Sequence, residues 1–394
     1  MNGIFLLAWR YLAYHKVKTA VLVAAVATIV YLPAALDIVV RRSARELTAR
    51  AQATPLLVGA KGSPLELVLN SLYFESGSPP TTAYAEVERV QRSDLARAIP
   101  LYTRFRAGRS PIVGTTLDYF EFRRLPLAEG RAMAMLGECV LGAAAARSAD
   151  VGPGGFVLSS PESVFDLAGV YPLKMKVVGV FEPTGTPDDL AVFVDIKTAW
   201  VIEGLAHGHQ DLSRPEASPG VLRTEGNKVV ANASVVEYNE ITPENVASFH
   251  FHGDPATFPI TSVVVIPKDA KSGTLLQGRY LRPEEPVQIV RPEEVMDDLL
   301  DTILTVRGYV LVAAIILGVA TLATMTLVFV LSLQLRRREM QAIAKIGGSR
   351  SQIVGLVAVE ILGVLGAGVL LAAVLSALTG AFATAMTRLF VSLS

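Results

Sequence analysis

The sequence predicts a membrane protein: an α-helical transmembrane region of three spans, with a large α+β extracytoplasmic domain inserted between the first and second. Three observations carry this. Hydrophobic residues make up 51% of the 394-residue chain and charged residues only 18%, against about 25% charged in an ordinary soluble domain. Long runs with almost no charge sit at the two ends of the chain, and a bilayer core needs about 20 apolar helical residues. Between them, residues 41–306 have the composition of a globular domain. The mean hydropathy of +0.44 agrees.

Composition also excludes some functions. Lys+Arg and Asp+Glu are both 36, so the chain lacks the basic excess that a nucleic-acid binder needs. The single cysteine, Cys139, excludes an intramolecular disulfide and a cysteine-cluster metal site.

Residues 1–18 open the chain. Positions 4–14 are apolar with Trp9, Tyr11 and Tyr14, which reads as an interfacial helix on the cytoplasmic surface. The first span is placed at 19–40. A cleaved signal peptide is the competing reading, but the segment ahead is long for one, and Leu32-Pro33-Ala34-Ala35 is a poor cleavage site. The second span is placed at 307–335 and the third at 353–378. The run from 351 to 387, with Glu360 its one charge, is too long for one span and too short for two. Gly380 is expected to end the third helix. Residues 379–394 then form an interfacial tail, since positions 381–394 reach only ~21 Å as helix.

Orientation follows from cationic loops. Arg336, Arg337, Arg338, Lys345 and Arg350 follow the second span, and acidic residues from Glu293 to Asp301 precede it. The loop at 336–352 is therefore cytoplasmic, and residues 41–306 lie outside.

In the outer domain, short β-branched runs alternate with Gly/Pro turns: at 56–58, 111–113, 138–141, 176–180, 191–194 and 262–266. Ser63-Pro64-Leu65-Glu66 is a capping box with proline in the first turn, opening a helix to about Tyr73. The prediction is an α+β domain in two lobes, with loops at 75–82 and 211–220. Residues 37–52 continue the first span without Gly or Pro. Residues 291–305 carry Val295, Met296, Leu299, Leu300, Ile303 and Leu304 at helical spacing. Both spans thus extend outward as helical stalks.

Candidate chemistry is sparse. Gly59-Ala60-Lys61-Gly62-Ser63 lacks the spacing of a phosphate loop, and no GxSxG or HExxH occurs. No catalytic residue is assigned. Four of the five histidines form two His-x-His pairs, His207/His209 and His250/His252. Residues i and i+2 of a strand share a face, so each pair can chelate a divalent metal, with Phe249 and Phe251 opposite and Asp254 adding an oxygen. A packed or surface histidine pair is the plain alternative. Asp188-Asp189 reads as a solvated turn or helix cap. Cys139 reads as a small core residue. Glu360, near the cytoplasmic end of its span, is expected to snorkel or to pair with a basic loop residue.

The most informative stretch is 336–353, RRREMQAIAKIGGSRSQI. A basic anchor precedes Met340, Ile343, Ala344 and Ile346 at helical spacing. Gly347-Gly348 ends that helix and Ser349 can cap the next. This segment resembles the cytoplasmic loop of FtsX-like ABC permeases, the group with MacB-like and LolC/LolE-like members. Leu7-Ala8-Trp9-Arg10-Tyr11-Leu12 is similar to their amphipathic start. Val113-Gly114-Thr115-Thr116, Asp118-Tyr119-Phe120, Glu129-Gly130-Arg131, the run ECVLGAAAA at 138–146, Gly152-Pro153-Gly154 and the strand at 175–180 resemble their outer domain in the same order.

The resemblance implies a permease subunit that is not itself an enzyme. It would couple ATP hydrolysis by a LolD- or MacB-type ATP-binding partner to movement of a MacB-like periplasmic domain. Substrate would be extracted or exported from the outer face of the inner membrane. Arg338, Glu339, Met340, Ile343, Ile346, Gly347 and Gly348 would contact the ATPase. No cofactor is bound directly; ATP-Mg belongs to the partner. A second permease copy or paralogue, a periplasmic adaptor or carrier, and membrane lipid are the other implied partners. Two alternatives stay open: an FtsX-like regulator that transmits force to periplasmic partners, and a metal-handling permease using His207, His209, His250 and His252. The sequence departs from the four-span family pattern by showing three.

Overall fold

The computed structural model describes residues 2–75, 79–160, 172–208, 221–225, 228–231, 238–338, 341 and 349–393. In chain order the helices are α1 (Asn2–Tyr14), α2 (Lys16–Gln52), α3 (Pro64–Tyr73), α4 (Ala85–Arg92), α5 (Leu117–Arg123), α6 (Ala143–Ala149), α7 (Ile196–Ile202), α8 (Ala270–Arg279), α9 (Pro292–Leu335) and α10 (Arg350–Leu393). The strands are β1 (Leu56–Ala60), β2 (Thr82–Ala83), β3 (Ala96–Leu101), β4 (Arg106–Ala107), β5 (Ser110–Thr115), β6 (Leu127–Gly130), β7 (Glu138–Leu141), β8 (Phe156–Leu158), β9 (Lys174–Phe181), β10 (Val192–Asp195), β11 (Ala206–Gly208), β12 (Val221–Glu225), β13 (Lys228–Ala231), β14 (Phe249–Phe251), β15 (Pro259–Ile260), β16 (Ser262–Pro267) and β17 (Val287–Val290). The chain divides into two units, one built on Met1–Glu46 with Asp298–Thr387 and the other on Leu47–Asp297.

Among the described residues of the first unit, three stretches are long and apolar enough to cross a membrane: Lys16–Arg41, Gly308–Leu335 and Ser351–Phe382. Leu22 and Val26 of α2, Met325 and Phe329 of α9, and Val364 of α10 form its packed centre. Gly368 lets α10 approach α2 closely: a Cβ there would lie 2.6 Å from Val26. Small residues serve this purpose wherever helices pack in lipid. Tyr31 and Thr379 add a hydroxyl–hydroxyl hydrogen bond of 2.9 Å.

One expectation is corrected in α10. The third span was placed at 353–378 with a break at Gly380, yet the helix runs unbroken through Gly380 to Leu393. A single helical glycine costs only about 1 kcal/mol relative to alanine, and the good helix former Ala381 follows it. Residues 379–393 are therefore helical and continuous with the span. Pro33 is likewise carried inside α2.

The second unit holds a four-stranded antiparallel sheet, in the order β17-β1-β16-β3, and a mixed sheet, in the order β4-β5-β10-β7-β9-β6 with β8 paired to β9. In the mixed sheet β10 lies parallel to β5 and β7 parallel to β9. The strands read as continuous apolar runs because both faces of each central strand are covered. All four residues of β7 are buried, and so are Leu56, Leu57, Val58 and Gly59 of β1. The two expected lobes are two sheets on one core: a single cluster joins Leu56, Val58, Val263 and Val265 to Ile112, Cys139, Val177 and Val194. Burial pushes the Cys139 thiol up in pKa. The Ser63 half of the expected capping box forms, its hydroxyl accepting from the Glu66 amide at 3.3 Å.

Trp200 of α7 is the largest fully buried side chain. Its indole N–H donates to the Pro259 carbonyl at 2.9 Å. Tyr84, Phe251 and Phe258 meet its ring edge-to-face, with centroids 5.1–6.4 Å away. That aromatic nest fixes β14 against the core.

Candidate functional site

Three places hold the residues singled out by sequence. The first is the segment after α9. Arg338 is exposed at its start, whereas Glu339, Met340, Ile343, Ile346, Gly347 and Gly348 lie outside the described residues. Its anchor is described. Arg336 pairs with Glu360 of α10 at 3.1 Å, and its guanidinium stacks 3.6 Å from the centroid of Tyr11 on α1. Tyr11 in turn shares a hydrogen bond of 2.9 Å with Ser332 of α9. One arginine thus ties α1, α9 and α10 together where the segment begins. Ser349 caps α10 by accepting from the Gln352 amide at 3.3 Å.

The second place is the far end of α2. Arg50, in its last turn, reaches the carboxylate of Asp188 with Nη1–Oδ2 at 2.6 Å and Nη2–Oδ1 at 2.8 Å. The Tyr119 hydroxyl accepts from Arg50 at 2.9 Å and donates to Asp188 at 2.8 Å. All three side chains are buried. Desolvation works to raise the Asp188 carboxyl, but the Arg50 charge and its hydrogen bonds outweigh it and hold the group below the usual carboxylate range. The Tyr119 phenol is pushed up to about 12, first by burial and then by the Asp188 charge.

Asp188 and Asp189 were expected as a solvated turn or helix cap, and both are instead buried in a 3-10 turn, Pro187–Leu190. Thr186 caps that turn. Asp189 accepts from the amides of Thr184 and Gly185, each at 2.8 Å. Gly142, at the end of the ECVLG run, makes room for it: a Cβ there would lie 2.2 Å from the Asp188 carbonyl oxygen and 2.5 Å from that of Asp189. The EGR run has a similar role on the neighbouring strands. Gly130 has φ +76 and lies against the Val178 carbonyl. Arg131 forms a two-pronged pair with buried Glu138, one contact at 2.8 Å, and the Ala134 and Met135 amides donate to the same carboxylate. The Arg131 hydrogen bond keeps Glu138 below its ordinary pKa.

The third place is the histidines. β11 pairs antiparallel with β14, and His207 stands opposite His250. The structure brings His207, His250 and His252 together, their nearest ring nitrogens all within 4.8 Å of one another. His209 lies outside the described residues. Asp254 is committed elsewhere: it caps a 3-10 turn by accepting from the Ala256 amide at 3.0 Å.

Comparison with known proteins locates this architecture. The profile of the MacB-like periplasmic core domain matches residues 20–233, more than half of the chain. No curated protein sequence matches. Among solved structures, the chain is similar to the periplasmic region of MacB from Actinobacillus actinomycetemcomitans. That match has 11% identity and a TM-score of 0.34, and covers 63% of this chain and 94% of that one. It is also similar to the extracellular domain of the noncanonic ABC-type transporter YknZ from Gram-positive bacteria. There the identity is 11% and the TM-score 0.32, with 60% and 98% covered. With its apolar helices and its matched outer domain, the chain belongs to the FtsX/MacB-like ABC transporter permeases that carry a MacB-like periplasmic core domain.

Proposed function

We infer that this chain is the non-catalytic membrane subunit of an ATP-driven system in the inner membrane, and that it converts ATP binding by a partner ATPase into movement of its outer domain. The observation that carries the reading is the unbroken helix α2, which starts at Lys16 and ends in the buried Arg50–Asp188 pair. The helix continues from the apolar stretch Lys16–Arg41 to the turn that carries Arg50, and a buried two-pronged pair is a stiff attachment at that end. The cytoplasmic segment from Arg336 to Gln352 is the docking element for the ATPase. It is anchored through Arg336 to Glu360 and Tyr11. Substrate is handled at the outer face, because the described parts of the three apolar helices offer few charged side chains for a hydrophilic path. The functional form contains two permease copies, or this chain with a paralogue, and two ATPase chains.

The test is co-purification of the chain, in detergent, with the ATPase of its own system. The native chain is expected to retain the ATPase. A variant with Glu339→Lys and Ile343→Asp is expected to lose it while keeping its thermal stability. Equal retention by both would remove the docking role of the segment.

A further inference from the structure

We propose that His207, His250 and His252 form a binding site for a divalent transition-metal ion on the surface of the outer domain, with Zn²⁺ as the best-fitting ion. The strand geometry builds it. His207 and His250 are direct cross-strand partners, and opposite residues of an antiparallel pair have Cβ atoms about 4.5–5.5 Å apart. His252 follows two residues after His250 and so shares its face. The three rings are mutually adjacent, with centroids 4.7–4.9 Å apart.

The opposite face of the same two strands is closed. Ala206 is buried, and Phe249 and Phe251 pack on the core. Gly208, between His207 and His209, has no side chain because the Phe249 ring occupies that space: a Cβ would lie 2.4 Å from it. The strand pair therefore cannot turn over, and the histidine face is held outward, with His250 and His252 exposed and His207 half-buried.

The donor chemistry suits a borderline metal. The Ser248 carbonyl lies 3.1 Å from His250 Nδ1. A proton on Nδ1 donated to that oxygen leaves the ring lone pair on Nε2, as a second-shell carbonyl does for a metal-bound histidine. Imidazole nitrogens select Zn²⁺, Cu²⁺ or Ni²⁺ over Mg²⁺ or Ca²⁺. Zinc–nitrogen bonds of about 2.0–2.1 Å put tetrahedral ligands about 3.3 Å apart, so the nitrogens close on the ion by small side-chain rotations. Three protein ligands leave a position for water or an incoming ligand, the pattern of an exchangeable site and not of a closed structural one.

The site stands independently of ATPase docking, and its test contains no ATPase. The full chain, purified in detergent with any histidine tag removed and stripped with chelator, is titrated with Zn²⁺ by calorimetry. It is also titrated with Co²⁺ while its visible d–d bands are recorded. Binding of one ion per chain is expected, with nitrogen-ligated cobalt bands. His250→Gln and His207→Gln should each weaken binding at least about tenfold, since even outer-shell partners are worth about 10–100-fold. Their metal-free thermal unfolding should match the native chain, because the changes are on the solvent side. Absence of zinc binding by the native chain, or binding that neither variant weakens, overturns the proposal and leaves a stacked histidine cluster.

Discussion

Arg50 and Asp188, 138 positions apart, are joined by a buried two-pronged ion pair at 2.6 and 2.8 Å, with Tyr119 bridging the two side chains. Breaking a buried pair by removing one member costs about 3–5 kcal/mol, because the other charge is left without compensation. Arg50→Met and Asp188→Asn are each expected to lower the unfolding free energy of the outer domain by that order, measured by denaturant titration of the chain in detergent. The double variant should lose less than the sum of the two.

The same pair sets an acid limit. Asp188 titrates below its ordinary range in the folded chain, with Arg50, Arg123, Tyr119 and the Thr186 hydroxyl around it. A depressed carboxyl contributes stability that is present above the unfolded pKa of about 3.9 and is lost as pH falls through the folded value. Unfolding midpoints recorded downward from pH 5 should fall more steeply for the native chain than for Asp188→Asn. Parallel curves would show that Asp188 does not carry the effect.

Gly142 faces backbone and Gly152 faces open space. Gly142→Ala should destabilise the outer domain by about 1–3 kcal/mol through overpacking. Gly152→Ala should stay within about 0.5 kcal/mol of native. Thermal unfolding of the two variants side by side reads the contrast.

In the membrane-type unit, Gly368→Val drives a side chain into Val26, whereas Gly366 meets nothing within 4 Å. Gly368→Val is expected to lower the melting temperature of the detergent-solubilised chain by several degrees, and Gly366→Val to leave it nearly unchanged. The reverse order would mean that α2 and α10 pack differently.

Arg336 and Glu360 test the anchor of the segment proposed to dock the ATPase. Glu360→Gln should weaken ATPase retention only modestly, because Arg336 keeps its stacking on Tyr11. Glu360→Arg should abolish it, and the exchange of Arg336→Glu with Glu360→Arg should restore part of it. Co-purification yields give the comparison.

What the sequence made legible was local. The Ser63 N-cap, the strand runs around Val58, Val140 and Val264, and the continuation of α2 past the apolar run all depend on neighbours within a few positions. The shared face of His250 and His252 was readable for the same reason. The pairing of His207 with His250 was not, since register between strands that far apart follows from the whole sheet. Asp188 was misread because an acidic pair after Gly-Thr-Pro has the local signature of an exposed turn, while its partner lies in α2. The one usable signal was Arg50 itself, a charge at the end of a long helix just ahead of the buried strand β1. Gly380 was misread in the other direction: its local helix cost is smaller than what the surrounding helix supplies.

Cys139 is the single thiol of the chain, fully buried in β7 and, with its pKa pushed up by burial, a poor nucleophile. The native protein is therefore chemically silent toward maleimides and spin labels while folded. Cysteines introduced in pairs on either side of a suspected hinge will react alone, with no need for a background substitution that would disturb the core. Any motion of the outer domain can be followed by inter-label distances in an otherwise unaltered chain.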